Sequence, residues 1–171
     1  LIPSNRIEPV TANALATLNR IAPGRIDFGV GTGFTARRTM GLKAIPLRIM
    51  KRYIERVQEL LRGNLIEWDF ESENRKISFL NPEYGLINLE DPIDLHISAM
   101  GPKSRKLVAE VGAGWLNFGS DLDSLIRDAE DFKSHWQSLR GSQVEMKNTL
   151  FFLGAVLGKD PEKNAEKLML Q

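Results

Sequence analysis

Two glycine-rich stretches are the parts of this sequence best suited to hold an anionic group. The first, RIDFGVGTGFTARRTMG at residues 25–41, places three glycines at alternate positions after a short apolar run. The second, SAMGPKS at residues 98–104, leads directly into a helical pattern opened by Pro102. Glycine lets backbone N–H groups approach a ligand closely, and amides in front of a helix N-terminus attract anions. Both stretches are therefore candidate phosphate sites.

The glycine spacing argues against two familiar phosphate motifs. GVGTGF follows G-x-G-x-G, and we predict about a dozen loop residues before the helix opened by Pro46, whereas a dinucleotide loop runs straight into its helix. No G-K-[ST] follows the glycines, which excludes a P-loop. Glycines at a strand end can also serve simply as a tight exit, and SAMGPKS can be an ordinary turn. From the motifs alone, these alternatives stay open.

Helical and strand-like segments alternate along the chain with short connections, which predicts a parallel α/β sheet. The predicted helices cover residues 10–21, 46–63, 102–112 and 121–141, and a last one starts at Asp160. The predicted strands are RIDFGVG, the two arms of a hairpin around ESEN, IDLHISAMG, AGWLNFG and NTLFFLGAVLG.

Two of these strands have one apolar and one polar face. In RIDFGVG the apolar residues Ile26, Phe28 and Val30 alternate with polar residues or glycine, and IDLHISA repeats the pattern. A strand covered by helices on both faces would be apolar throughout. The pattern therefore favours part of a (β/α)8 barrel over an open doubly wound sheet. Both glycine stretches would then lie at the C-terminal mouth, where such barrels build their active sites.

The composition narrows the class of protein. The 171 residues include 23 Lys and Arg against 22 Asp and Glu, and no cysteine. No run approaches the roughly 18 apolar residues of a membrane span, and two histidines are too few for a histidine metal cluster. We expect a cytoplasmic protein with no metal and no nucleic-acid or membrane partner. Both ends read as interrupted elements, so we expect the chain to be part of a longer protein.

Taken together, the two stretches resemble the bacterial-luciferase-like family of flavin-dependent oxidoreductases. Its members carry segments similar to ALATLNRIAPGRIDFGVGTGFTARRTMGL and PIDLHISAMGPKSRKLVAEVGAGWLNFG in this order, so the resemblance covers residues 4 to about 118. It implies a TIM-barrel-type α/β fold, here partial, from the end of the third strand to the seventh. Residues 1–171 would form one partial barrel domain with a hairpin insertion around 64–81. The implied activity is that of a flavoprotein oxidoreductase or monooxygenase using reduced FMN, or alternatively the deazaflavin F420, at the C-terminal mouth.

The resemblance also implies cofactor-binding residues at three loops. They are Thr32 and Gly33 after the fourth strand, Ala99, Met100 and Gly101 after the fifth, and Ser4 and Asn5 at the end of the third. The catalytic residues would lie on strands that this chain lacks and are unknown. Phe34 stands where relatives have an acidic residue after Thr-Gly, which argues against an F420-dependent sugar phosphate dehydrogenase. The implied partners are a small-molecule substrate and a second copy of the chain, as a homodimer.

Four further residues have both a functional and a structural interpretation. His96 is either a contact in the barrel mouth or a hydrogen-bonded interior histidine, and we favour the second. Arg37 and Arg38 could reach a phosphate or an acidic substrate, although such arginines more often pair locally. Among the tryptophans, Trp115 is the one expected nearest a cleft.

A second class of function is a truncated, non-catalytic barrel relative that serves as a scaffold or interaction module. An incomplete barrel leaves open sheet edges, which aggregate or find partners. A native gene encoding the earlier strands would favour the enzyme, and a native start near Leu1 would favour the scaffold.

A valine in the first glycine loop gives a test of the phosphate assignment. We predict that Gly33→Val weakens cofactor binding and leaves the fold intact, because a side chain there would block the approach to phosphate. Cofactor titration of wild type and variant measures the effect, and an unchanged affinity counts against the loop.

Overall fold

The predicted parallel sheet is present in a computed structural model, which describes residues 1–119, 121–147 and 150–152 together with Asp160 and Glu162. Four parallel strands lie in the order β1-β4-β5-β6. Their bounds are β1 Asp27–Val30, β4 Asp94–Ser98, β5 Gly114–Phe118 and β6 Leu150–Phe152. The rest of the last predicted strand, and the predicted C-terminal helix apart from Asp160 and Glu162, lie outside the described residues.

Within the described residues, one α-helix precedes β1 and four more follow it along the chain. Their bounds are α1 Glu8–Ile21, α2 Phe34–Thr39, α3 Leu47–Leu61, α4 Pro102–Val111 and α5 Leu122–Arg140. Helix α5 begins as predicted, because the Asp121 carboxylate accepts a hydrogen bond from the Ser124 amide at 2.9 Å. Hydrogen bonding from the Ser124 side chain, followed by that from the Ser124 amide, lowers the pKa of Asp121.

A two-stranded hairpin leaves this architecture between α3 and β4. Strands β2 (Ile66–Phe70) and β3 (Glu73–Ile77) pair antiparallel. Glu71 and Ser72 form the turn with φ of 51° and 63°, the left-handed geometry that a two-residue hairpin loop requires. The Trp68 indole donates to the Glu8 carboxylate at 3.0 Å, which holds the hairpin against α1.

The sheet has the two different faces that the alternation predicts. The helix-facing side chains are almost completely buried: Phe28, Val30, Leu95, Ile97 and Trp115. They pack with apolar residues of the surrounding helices, including Met50, Ile54, Val57, Val108 and Phe132. On the opposite face Gly29, His96 and Ser98 are only partly buried. His96 lies there 3.8 Å from the Asp27 carboxylate.

Leu1 extends the sheet on the free side of β1. Its amino group donates to the Gly29 carbonyl at 2.7 Å, and its carbonyl accepts from the Gly31 amide at 3.0 Å. Leu1 thus makes sheet-like hydrogen bonds to the free side of β1, and the following turn (Pro3–Asn5) is held next to the end of β1. Burial lowers the pKa of the Leu1 amino group.

Two local predictions were wrong. A six-residue helix, α2, occupies the segment predicted to be loop before Pro46. A helix this short is marginal alone, so tertiary contacts must support it and no hydrophobic period marks it. The helical spacing of Val10, Ala14, Leu15, Leu18 and Ile21 predicts the apolar face of α1, but Val10, Leu18 and Ile21 are exposed. The buried residues of α1 are Thr11, Ala12, Leu15, Ala16 and Asn19.

Asn19 ties α1 to the loop that leads into β4. Its side chain is fully buried and donates to the Asp91 carbonyl at 2.9 Å and, at 3.4 Å, to the Asn88 carbonyl. It also accepts from the Gly24 amide at 3.1 Å. This one amide therefore satisfies three backbone groups that would otherwise be buried without partners.

We predict that Asn19→Ala lowers the free energy of unfolding by about 2 kcal/mol. The substitution leaves the backbone partners of the Asn19 side chain buried without a hydrogen bond. Asn13→Ala is the matched control, since Asn13 lies on the exposed face of the same helix. Urea unfolding of the full-length protein measures both. Equal effects of the two variants would show that the buried bonds do not contribute.

Candidate functional site

The predicted cofactor-binding residues come together at the carboxyl edge of the sheet. Strands β1 and β4 are neighbours in parallel register, with Val30 opposite Ile97, so the loops that begin at Gly31 and Ala99 leave the sheet side by side. Ser4 and Asn5 lie in the turn after Leu1, on the other side of β1. Three chain segments therefore meet at one edge.

Some backbone amides of these loops donate a hydrogen bond within the protein, and others do not. Within the described residues, the amides of Thr32, Gly33 and Met100 donate to no protein acceptor. The Ala99 amide donates to the Leu116 carbonyl at 3.0 Å, and the Gly101 amide to the Ser104 hydroxyl at 3.2 Å. Three backbone donors on adjacent loops thus remain available to a ligand, and two of the predicted ones are used within the protein.

Gly31 and Gly33 differ in the space and the backbone geometry that they offer to a side chain. Gly33 has φ of 75°, and a Cβ there would lie 2.8 Å from Ile2 Cγ2. The expectation that Gly33→Val leaves the fold intact is therefore wrong: the valine would strain the backbone and press on the neighbouring turn. At Gly31 a Cβ would meet only the Ser98 Cβ, at an ordinary 3.5 Å.

Residues 33–44 form a loop that we call the mouth excursion. The Ile45 amide donates to the Thr32 carbonyl at 3.0 Å, so the two ends of the excursion are joined next to β1. Arg37 fixes its interior, because the guanidinium donates to the Lys43 carbonyl and to the Ser4 hydroxyl, each at 2.6 Å. These contacts give Arg37 a structural role, whereas Arg38 lies exposed over the Phe34 ring at 5.8 Å.

The loop after β4 is held by a buried arginine that sequence reasoning did not single out. Arg105, 5% exposed, donates to the Met100 carbonyl at 2.8 Å and pairs with Asp128 at 2.9 Å and Asp131 at 2.7 Å. Arginine in a helical pattern normally indicates a solvated face, so the sequence carried no signal for this role. The network connects α4 and α5 to the loop.

Trp115 also supports the loop after β4. Its indole donates to the Ala99 carbonyl at 2.6 Å, and its ring lies 5.0 Å from Phe132. The side chain is fully buried, so the prediction that it lies near a cleft was wrong. The register of β5 with β4 turns Trp115 to the helix side, next to Ile97.

The same register turns Leu116 and Phe118 to the lumen side. Leu116 pairs with Ser98, and Phe118 follows on the same face with 58% of its surface exposed. The alternation in GWLNF could have identified this aromatic at the mouth.

A cavity of about 330 Å³ adjoins the site between the turn at Ser4, the excursion and the start of α3. Its lining includes Arg37, Ile45, Arg52 and Tyr53. The Tyr53 hydroxyl lies 2.5 Å from that of Thr11, and burial raises the pKa of the phenol. The rest of the lining is mainly apolar, with Ser4 and the Glu8 carboxylate as its further polar groups.

The described part of the chain contains no group of three or more side chains suited to hold a metal ion. Among the same residues, none of the helices has the length and apolar character needed to cross a membrane.

The parallel sheet with its candidate site at the carboxyl edge is part of a barrel. Comparison with known proteins identifies the family of this chain. The luciferase-like monooxygenase family matches residues 5–169. The chain belongs to this family.

Two characterised relatives show which enzymes the chain is similar to. It is 31% identical over 112 residues to 5,10-methylenetetrahydromethanopterin reductase of Archaeoglobus fulgidus, which covers 63% of this chain and 31% of the relative. It is 28% identical over 142 residues to F420-dependent glucose-6-phosphate dehydrogenase of Nakamurella multipartita. This match covers 75% of this chain and 38% of the relative. The chain thus spans about a third of the length of these relatives.

Solved structures confirm the barrel fold. The F420-dependent tetrahydromethanopterin reductase of Methanopyrus kandleri matches 96% of this chain and 51% of its own, with a TM-score of 0.73 at 19% identity. An FMN complex of a Baeyer-Villiger monooxygenase of Pseudomonas putida matches 96% of this chain and 50% of its own chain, with a TM-score of 0.67 at 15% identity. The chain therefore has the fold of about half of such an enzyme.

We predict that Arg105→Met lowers the free energy of unfolding by about 2 kcal/mol, because it leaves two half-buried carboxylates and a carbonyl without their donor. Arg127→Met is the control, since Arg127 is exposed and lies 3.9 Å from Asp121. Chemical denaturation of the full-length protein measures both. A loss no larger than that of the control would contradict the role of Arg105.

Proposed function

We propose that the protein is an oxidoreductase that binds reduced FMN or F420 at the mouth formed by the ends of β1 and β4. The observation that carries the proposal is that the Thr32, Gly33 and Met100 amides, on adjacent loops, have no acceptor among the residues that the structure describes. Family membership and relatives that use F420 or FMN support it. A small-molecule substrate, a homodimer and a cytoplasmic location belong to the same proposal.

The residues present fit the phosphate of such a cofactor. Backbone donors without protein partners suit a phosphate, because each oxygen accepts several hydrogen bonds. The bare Cα of Gly31 leaves the lumen beside Ser98 open to a flat ring. Phe118 adds an exposed apolar face at the mouth, as a planar ring system prefers.

The reduced cofactor supplies the hydride or the oxygen chemistry, and the protein supplies binding, orientation and exclusion of water. In this proposal the Thr32 and Gly33 amides anchor the phosphate. Arg105 and Trp115 hold the Met100 and Ala99 carbonyls and so fix the opposite loop. Phe34 stays an argument against a sugar phosphate dehydrogenase role, although a relative with that name is similar in sequence.

The first test is direct titration of the full-length protein with reduced and oxidised FMN and with F420. We expect at least one of them to bind with a dissociation constant in the micromolar range, about −8 kcal/mol. Fluorescence quenching or calorimetry measures it. Absence of binding by both would refute the cofactor site and favour the non-catalytic scaffold.

A variant of the strand end tests where the cofactor lies. We predict that Gly31→Val weakens binding by about tenfold or more, because its side chain fills space at the mouth while its Cβ fits the backbone. Gly29→Ala is the control on the same strand face, where a Cβ meets nothing within 4 Å. Melting temperatures show that both variants fold. Unchanged affinity of Gly31→Val would place the cofactor elsewhere.

A further inference from the structure

The mouth excursion is held to the rest of the protein by very few contacts. Every residue from Phe34 to Ala44 is exposed except Arg37, which is partly buried. Within the described residues, one hydrogen bond and no ion pair joins the excursion to the rest of the chain, and it runs from the Arg37 guanidinium to the Ser4 hydroxyl. Segments with so few buried contacts open at a low cost in free energy. The position of the excursion therefore depends on this single hydrogen bond.

The excursion is bonded internally, and a left-handed glycine lies at each end of α2. The Leu42 amide donates to the Arg37 carbonyl at 2.9 Å, which closes the end of the helix. Gly33 and Gly41 have φ of 75° and 73°. Glycine changes its backbone conformation at the lowest steric cost, and residues that absorb such changes act as hinges. Helix α2 can therefore turn as a unit between the two glycines.

The Arg37–Ser4 bond holds the excursion on the side of the mouth away from β4. Ser4 lies in the turn after Leu1, on the free side of β1, whereas β4 and β5 lie on the other side. In this position three large apolar side chains of the excursion are exposed: Phe34, Met40 and Leu42. Three more are exposed after the ends of β4 and β5: Met100, Phe118 and Leu122. The bond thus keeps two apolar surfaces of one mouth apart.

We propose that the mouth excursion is a lid, held open by the Arg37–Ser4 bond, which closes toward β5 over an apolar group of the substrate. The inference rests on the proposed function, because that function places the reaction at this mouth. Helix α2 has six residues and is about 9 Å long. Strand β5 lies two strand spacings, about 10 Å, from β1. The lid therefore has the reach to cover the mouth.

Two opposing terms determine whether the lid is open or closed. Closure breaks the hydrogen bond between Arg37 and Ser4, which favours the open position when the mouth holds no apolar group. A bound apolar group is covered by the excursion on one side and by the ends of β4 and β5 on the other, and the burial of this surface favours closure. The ligand shifts the equilibrium because only the closed position covers both of its sides.

The first test measures how affinity grows with the length of an apolar probe. The full-length protein is titrated by calorimetry with butanol, hexanol and octanol, both without cofactor and saturated with whichever of FMN and F420 binds. Burying one methylene completely strengthens binding about fourfold, and we expect this increment from the loaded wild-type protein.

Removing the apolar side chains of the excursion should reduce that increment. In Phe34→Ser/Met40→Ser/Leu42→Ser we expect about twofold per methylene, because one side of the probe stays in water. The matched control is Leu65→Ser/Leu80→Ser/Leu86→Ser, which replaces exposed apolar residues between α3 and β4 and should match wild type. Melting temperatures show that both variants fold.

The second test removes the bond that holds the lid open. Ser4→Ala deletes the acceptor and keeps the bond from Arg37 to the Lys43 carbonyl inside the excursion. We expect the variant to bind octanol about fivefold more tightly, because closure no longer breaks a hydrogen bond. A Ser4 hydroxyl that contacted the probe directly would give the opposite sign. Ser138→Ala, at an exposed serine of α5, is the control and should leave the affinity unchanged.

A third measurement needs no variant. Hydrogen exchange of the wild-type protein is followed by mass spectrometry with and without saturating octanol. We expect the peptide that covers residues 34–44 to exchange about fivefold more slowly with the probe, because closure gives the excursion buried contacts that it lacks when open.

Contrary results distinguish the lid from the proposed function. The lid is overturned by an equal increment per methylene in excursion variant and wild type, by unchanged or weaker octanol binding in Ser4→Ala, or by unchanged exchange of residues 34–44. Absence of alcohol binding overturns it as well. Each of these leaves the proposed function standing. Failure of both FMN and F420 to bind overturns the proposed function itself, and the titrations without cofactor then still test the lid.

Discussion

The parallel pairing of β1 with β4 is the constraint on which the rest of this structure depends. Val30 opposite Ile97 determines that the loop at Gly31 and the loop at Ala99 leave the same edge next to each other. Because the two strands are far apart in sequence, α3 and the hairpin must be accommodated between them without disturbing that edge. The buried face of Phe28 and Leu95 fixes the register, since a slip by one residue would turn the apolar side chains into the lumen.

Support for the loops comes from side chains that lie behind them. The buried guanidinium of Arg105 and the indole of Trp115 each donate to a carbonyl of the loop after β4. Arg37 does the same for the excursion after β1. In each case a side-chain donor binds a loop carbonyl, and the amides of Thr32, Gly33 and Met100 have no acceptor within the part of the chain that the structure describes. Backbone amides that have no acceptor in the protein are donors of the kind that suit an anionic ligand.

The order of elements and the convergence of the two glycine loops at one sheet edge could be predicted from the sequence, because both follow from local patterns. Alternation in RIDFGVG and IDLHISA distinguishes the two faces of the sheet, and glycines after each strand mark the loops. Helix α2 could not be predicted, because its support comes from contacts such as the Arg37–Ser4 hydrogen bond. The burial of Trp115 and Arg105 depends on strand register and on partners in α5, and neither leaves a periodic signal in the sequence.

The pairing of Leu1 with β1 has a consequence for the free side of that strand. Leu1 occupies the Gly29 carbonyl and the Gly31 amide, two backbone groups that an edge strand would otherwise offer to another chain. Unpaired groups of this kind are a template for association between molecules. Leu1 therefore shields this stretch of the edge, and it does so beside the strand end that carries the glycine loop.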